Sequence, residues 1–206
     1  AESYSEKIAI KIRTIELLSA LDMLTLVILV IMQTLKAMQM AMQNRLLEQK
    51  AFVDAHTGLP NKNACNELLN KKDIITDSTA CIMFDLNNLK IINDTKGHSK
   101  GDQLILNFAR LLRNVIPQKD FVGRYGGDEF MVVIYNTSKT EIEDILKQLS
   151  REKDRLNSSG NNMPIDYACG WAISDADSEC TIQMLLDKAD YYMYENKQAY
   201  KKSKKS

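Results

Sequence analysis

From residue 8 to residue 52 the chain contains neither glycine nor proline. Leu17, Leu21, Leu24, Ile28, Ile31, Leu35, Met38 and Met42 recur at alternating steps of four and three. That is a heptad seam, and it predicts one long helix of coiled-coil type. The same stretch supports a second reading. Leu17 to Leu35 carries a single charge, Asp22, and between Met23 and Met32 only Thr25 is polar. Val27, Leu29 and Val30 would leave a soluble coil without a polar outer face. About 20 apolar residues span a bilayer, and Asp22 would cost roughly 2.5–3.5 kcal/mol at its centre and less near an edge. Lys11 and Arg13 precede the segment and Lys36 and Arg45 follow it, so charge does not set an orientation. Residues 1–53 are expected to be a transmembrane or coiled-coil signalling stalk, which "MQNRLLEQKAFVD" carries on toward a partner chain.

After residue 53 the pattern breaks into short periods. Gly58 and Pro60 in "HTGLPNKN" end the long helix, and Asn61 can cap a short helix reaching about Asn70. "TACIMFDL" is a continuous apolar run closed by Asp85, the pattern of a buried strand. "KIINDTKGHSKGD" holds two turn signals, and Asp102 is a good N-cap for the helix "QLILNFARLLRNVI", which Pro117 stops. "DFVGRYGGDEFMVVIY" reads as a hairpin around a glycine bend. An amphipathic helix, the strand "PIDYACGWAIS" and a final helix complete the order α-β-α-α-β-β-α-β-α. A hairpin in mid-chain favours an α/β (α+β) sandwich with a mixed, largely antiparallel sheet over a doubly wound parallel one.

Composition narrows the chemistry. Apolar residues make up 45% and charged residues 26%, with a formal net charge of +0. The chain is globular and has no bulk field drawing it to nucleic acid. The basic tail, residues 202–206, reads as a solvated end. Cys65, Cys81, Cys169 and Cys180 form no CxxC pair, and two of them lie in strand-like runs, which suits reduced thiols. Two histidines exclude a histidine-rich zinc site, so a metal would be held by oxygen, pointing to Mg²⁺ or Mn²⁺. The chain begins with Ala and reads as a piece of something longer, with no cleavable signal visible.

The candidate site rests on three acids. Asp85 ends one strand, and Asp128 and Glu129 follow Gly126 and Gly127 in the hairpin bend. If the two strands are neighbours, the carboxylates meet on one rim of the sheet. They would repel unless a cation sits among them. Glycines in the bend let backbone amides approach a ligand unobstructed. Carboxylates beside bare amides suit a metal–triphosphate complex. The competing reading is a type I′ hairpin with surface acids.

"RYGGDEF", with "DAHTGLPNKNA", "FDLNNLKIINDTKGHSKGDQLIL" and "ADYYMYENKQAYKK" in that order, resembles the GGDEF-domain family of diguanylate cyclases over about residues 50 to 201. The resemblance implies a fold like the palm of nucleotidyl cyclases and polymerases. It also implies condensation of two GTP into cyclic di-GMP across a homodimer of half-sites. Carried over by motif position, Asp85, the carbonyl of Leu86 and Asp128 would hold two divalent metals per half-site, Mg²⁺ or Mn²⁺, assisted by Glu129. Asn93 and Asp102 would read the guanine edge. Lys90, Lys197 and Lys201 would reach the triphosphate, cradled by amides around Leu89 and at Gly126 and Gly127. His98 joins the substrate-binding set as an organiser of its loop. The domain from 54 to 201 would be cytoplasmic and the stalk anchored in the cytoplasmic membrane.

The sequence departs from the family's pattern in four places. Asn87 stands where many members carry a second Asp, Leu89 replaces a common Phe, and Lys201 replaces an Arg and so loses its bidentate fork. The family's product-feedback motif RxxD here reads "PQKD", Pro117 to Asp120, which implies weak or absent feedback inhibition. A silent GTP-binding or scaffolding module is the alternative, and such members usually lose the acids kept here. A cyclase making an adenine-containing product is disfavoured by Asp102.

Overall fold

The computed structural model describes residues 4–71, 74–75, 77–160, 163–174 and 179–203. Contacts divide the chain into two units, Ala1–Gln49 and Lys50–Ser206. The segment free of glycine and proline forms one helix, α1 (Tyr4–Phe52). Its large apolar side chains between Ile8 and Leu47 are exposed on every side. By length and composition it is long and apolar enough to cross a membrane.

The second unit follows the expected order: α2 (Lys62–Asn70), β1 (Thr79–Leu86), α3 (Leu89–Lys96), α4 (His98–Val115), β2 (Phe121–Arg124), β3 (Glu129–Tyr135), α5 (Lys139–Ser158), β4 (Tyr167–Ile173) and α6 (Ile182–Ser203). The strands form one sheet in the order β2-β3-β1-β4. Every pairing is antiparallel, in line with the largely antiparallel sheet expected.

β1 is central and buried along its whole length, which is why its sequence is an unbroken apolar run. Ala80, Ile82, Phe84 and Leu86 face α4 and α5, packing with Leu104, Phe108, Leu112, Ile142 and Leu149. Phe84, Phe108 and Phe130 stack edge to face, at 5.7 Å between the first two and 5.0 Å between the last two. Cys81 and Met83 face the other way, against Cys65 and Leu69 of α2 and Leu185, Ala189 and Met193 of α6. All four cysteines are free.

Asn61 caps α2 as expected, accepting from the amides of Asn63 and Ala64. Asp102 does not cap α4. The helix starts a turn earlier at His98, and "LKIINDTK" is itself helical. Gly97 makes the break between the two helices with φ of 84°, a value glycine adopts without strain. Asp102 therefore lies inside α4.

Candidate active site

Alternation along β1 decides where the acids go. Asp85 shares a face with Cys81 and Met83, the face covered by α6, and is 6% exposed. Its cross-strand partner is Glu129, and Leu86 N–H donates to the carbonyl of Asp128 at 2.9 Å. The pairing brings Asp85, Leu86, Asp128 and Glu129 to one end of the sheet. Like charges placed directly opposite on neighbouring strands repel. Burial pushes the Glu129 carboxyl up from its usual range, and Asp128, Asp85 and Asp190 push it further, with Lys197 opposing.

Among the described residues, no group of three His, Cys, Asp or Glu side chains is drawn together as a metal cage. Instead Lys197 of α6 pairs with Asp85 at 2.5 Å. Asp85 Oδ1, Asn87 Nδ2 and Asn93 Oδ1 are buried without hydrogen-bond partners. Unpaired buried polar atoms are costly and call for a partner such as a water or an ion.

The bend from Tyr125 to Asp128 is not a type I′ turn, because neither Gly126 nor Gly127 has positive φ. Space constrains Gly126 and not Gly127. A Cβ on Gly126 would run into the Glu129 carboxylate, whereas a Cβ on Gly127 would meet nothing within 4 Å. The backbone at Gly127 is therefore open to a ligand. Arg124 holds the bend: its Nη2 donates to Gly127 O at 2.8 Å, and its Nη1 bridges both Asp54 oxygens at 3.2 Å. Burial alone would raise the Asp54 carboxyl. Hydrogen bonds from Thr57 and the Arg124 guanidinium outweigh it, and the net shift is downward.

The substrate-binding candidates sit on the helices beyond β1. Leu89 opens α3, Lys90 follows it exposed, and Asn93 lies a turn later. Asn93 packs on α4 at Gly101, where a Cβ would lie 2.8 Å from Asn93 Cγ. Asp102 is exposed one residue on. The two guanine-reading candidates are thus neighbours across the α3–α4 junction. His98 is exposed at the start of α4, and its ring makes no hydrogen bond among the described residues. His56, which sequence reasoning did not select, is the histidine that reaches this region, with Nε2 2.9 Å from Asp102 O. The Lys201 side chain and residues 204–206 lie outside what the structure describes.

Sequence reasoning also missed Asp54, Arg124, Asp166, Asp190 and Tyr200. Tyr200 OH donates to Asp166 Oδ2, and Asp166 O accepts from Asn87 N–H at 2.9 Å. That contact ties the end of α6 beside the acids. The basic "RYGG" and acidic "DAHTG" stretches, each next to glycine, were the one available hint of the Arg124–Asp54 bridge.

Comparison with known proteins gives a consistent picture. The family model described as "Diguanylate cyclase, GGDEF domain" matches residues 51–203. Signaling protein YkoW of Bacillus subtilis is 31% identical over 162 residues, covering 75% of this chain and 20% of that protein. Diguanylate cyclase DgcN of Escherichia coli is 31% identical over 164 residues, covering 75% of this chain and 39% of that protein. The chain thus spans only about a fifth to two fifths of these relatives. Among solved structures, the coiled coil and GGDEF domain of DgcB from Caulobacter crescentus, in complex with c-di-GMP, is similar in fold. Its TM-score is 0.70 at 21% identity, covering 81% of this chain and 91% of that one.

Proposed function

The chain belongs to the GGDEF family of diguanylate cyclase domains, and from that premise we propose that it condenses two GTP into cyclic di-GMP with release of two pyrophosphates. The observation that carries the reading is the register of β1 on β3, which sets Asp85 opposite Glu129 with Asp128 beside them. The acids adjoin an open glycine backbone at Gly127. This donor set is all oxygen, and Asp85 Oδ1 is buried without a partner, so the site suits Mg²⁺ or Mn²⁺. Asp85, the Leu86 carbonyl, Asp128 and Glu129 would hold two ions per half-site. Such ions, when bound, neutralise phosphate charge and make a 3′-hydroxyl more acidic.

The chain's own side chains do the rest. Asn93 and Asp102 read guanine, Asp102 by accepting from the ring N–H and the amino group. Adenine offers no such donor pair. Lys90, Lys197 and Lys201 hold the triphosphate as point charges, and the amides at Leu89, Gly126 and Gly127 cradle it. Arg124 fixes the bend on which Asp128 and Glu129 sit. Each subunit holds one GTP, so two copies must face each other. Transfer of this type depends chiefly on positioning and charge neutralisation.

We read α1 as the anchor and stalk of this output domain. The apolar ring of Leu24, Leu26, Val27, Ile28, Leu29, Val30 and Ile31 is exposed on every side of the helix, and lipid satisfies it without a partner protein. The catalytic domain would lie on the cytoplasmic side. Sedimentation of the expressed chain with membranes, and its release by detergent but not by carbonate, tests the anchor. Recovery in the soluble fraction contradicts it. Asp128→Asn tests the chemistry. It should abolish cyclic di-GMP formation with the unfolding temperature preserved, and near wild-type turnover would remove Asp128 from the metal-binding set.

A further inference from the structure

Among the described residues, Lys197 is the only Lys or Arg ion-paired with Asp85, Asp128 or Glu129. Its Nζ lies 2.5 Å from Asp85 Oδ2, and the side chains are 28% and 8% exposed. The helix that delivers it is held close. A Cβ on Gly170 would strike the backbone of α6 at Met193, Tyr192 and Ala189, one turn before Lys197. The Tyr200–Asp166 contact fixes the next turn. The ammonium therefore reaches Asp85 from a docked helix. Its partnership is incomplete, because Asp85 Oδ1 stays buried and unpartnered.

We propose that Lys197 is the resident counter-cation of the metal-free site, displaced when a divalent cation binds Asp85 and thereby released to the triphosphate. This rests on reading Asp85 as a metal ligand. A divalent cation taken up through Asp85 Oδ1 would face the ammonium held on Oδ2 across one carboxylate, and the two cations repel. A metal entering alone works against the Lys197–Asp85 pair, and an ammonium it pushes away has no new partner. A metal entering with nucleotide gives that ammonium a phosphate. Metal and nucleotide thus favour each other's binding through one side chain, and the coupling is reciprocal. The arrangement also keeps the buried carboxylate neutralised while the enzyme waits for substrate.

The test is Mn²⁺ titration of the whole chain in detergent without nucleotide, with free Mn²⁺ followed by electron paramagnetic resonance. Lys197→Met is expected to bind Mn²⁺ about tenfold more tightly than wild type, and Lys197→Arg, which keeps the charge, to stay within about twofold of wild type. Asp85→Asn should remove this binding in either background. Equal Mn²⁺ affinity in wild type and Lys197→Met, lost in both on Asp85→Asn, overturns the exchange and leaves the metal reading intact. Mn²⁺ binding indifferent to Asp85→Asn overturns both. Thermal unfolding gives a second readout. Without metal, Lys197→Met should unfold at a lower temperature than wild type, and it should gain more on Mn²⁺ addition. Equal gains would also overturn the exchange.

Discussion

Gly170→Ala puts one methyl group between β4 and α6. In the present packing that Cβ would lie 2.6 Å from the Tyr192 carbonyl carbon, and closer still to Met193 N and Ala189 O. Ordinary carbon contacts settle at about 3.5–4.0 Å, so α6 must withdraw by about 1 Å or more. The obstructing atoms are backbone, and no rotamer change relieves them. Overpacking of this kind costs about 1–3 kcal/mol, and a domain of this size loses about 2–4 °C of unfolding temperature per kcal/mol. The functional cost should exceed the stability cost. Lys197 rides the next turn of α6, and a misplacement of about 1 Å can lower a rate by about 10²-fold. Calorimetry and initial rates of pyrophosphate release from GTP measure the two effects. An unfolding temperature within about 1 °C of wild type, with unchanged rates, would refute the claim that α6 is seated directly on Gly170.

Arg124→Ala frees Gly127 O and leaves Asp54 without its guanidinium, so denaturant titration should show a loss of about 1–2 kcal/mol. Turnover should fall by more than Arg124→Lys causes, since Lys keeps the charge but cannot span both partners. Glu129 responds to pH in a defined direction. Its carboxyl is raised in the folded, metal-free protein by burial and by Asp128, Asp85 and Asp190. Its contribution to stability is therefore fully present below the unfolded pKa and is lost as pH rises through the folded one. Glu129→Gln should raise the unfolding temperature of the metal-free protein at pH 8, with the gain vanishing below about pH 4.3, where wild-type Glu129 is also neutral. Feedback by product should be weak, because Pro117 replaces the motif's Arg and Asp120 already accepts from Tyr135 N–H at 3.1 Å. Calorimetric titration with cyclic di-GMP checks this, and tight noncompetitive inhibition would refute it.

The order of the elements was legible because each left a local mark. These marks were the unbroken apolar run of β1, the Asn61 cap, the Pro117 stop and the glycines between β2 and β3. The acids of the site were legible for the same reason, since Asp85 ends a strand and Asp128 and Glu129 follow two glycines. The α3–α4 boundary was misplaced because Asp102 is a strong capping residue by type, and of the two glycine turn signals before it only Gly97 has the positive φ that breaks the helix. The competing type I′ reading of the glycine bend fails on similar grounds. Adjacent glycines suggest a turn with positive φ, but Gly126 is small because the Glu129 carboxylate lies against it. The contacts that hold the site join residues far apart in sequence. Arg124 meets Asp54 across 70 positions and Lys197 meets Asp85 across 112, and no local period encodes such pairs.

Incubating the purified chain with GTP and Mg²⁺ and separating the products by chromatography decides whether it is a cyclase. Cyclic di-GMP and two pyrophosphates for each product molecule are expected, with none formed by Asp128→Asn or from ATP alone. Bound GTP recovered unchanged, from a folded and dimeric protein, would contradict the cyclase reading.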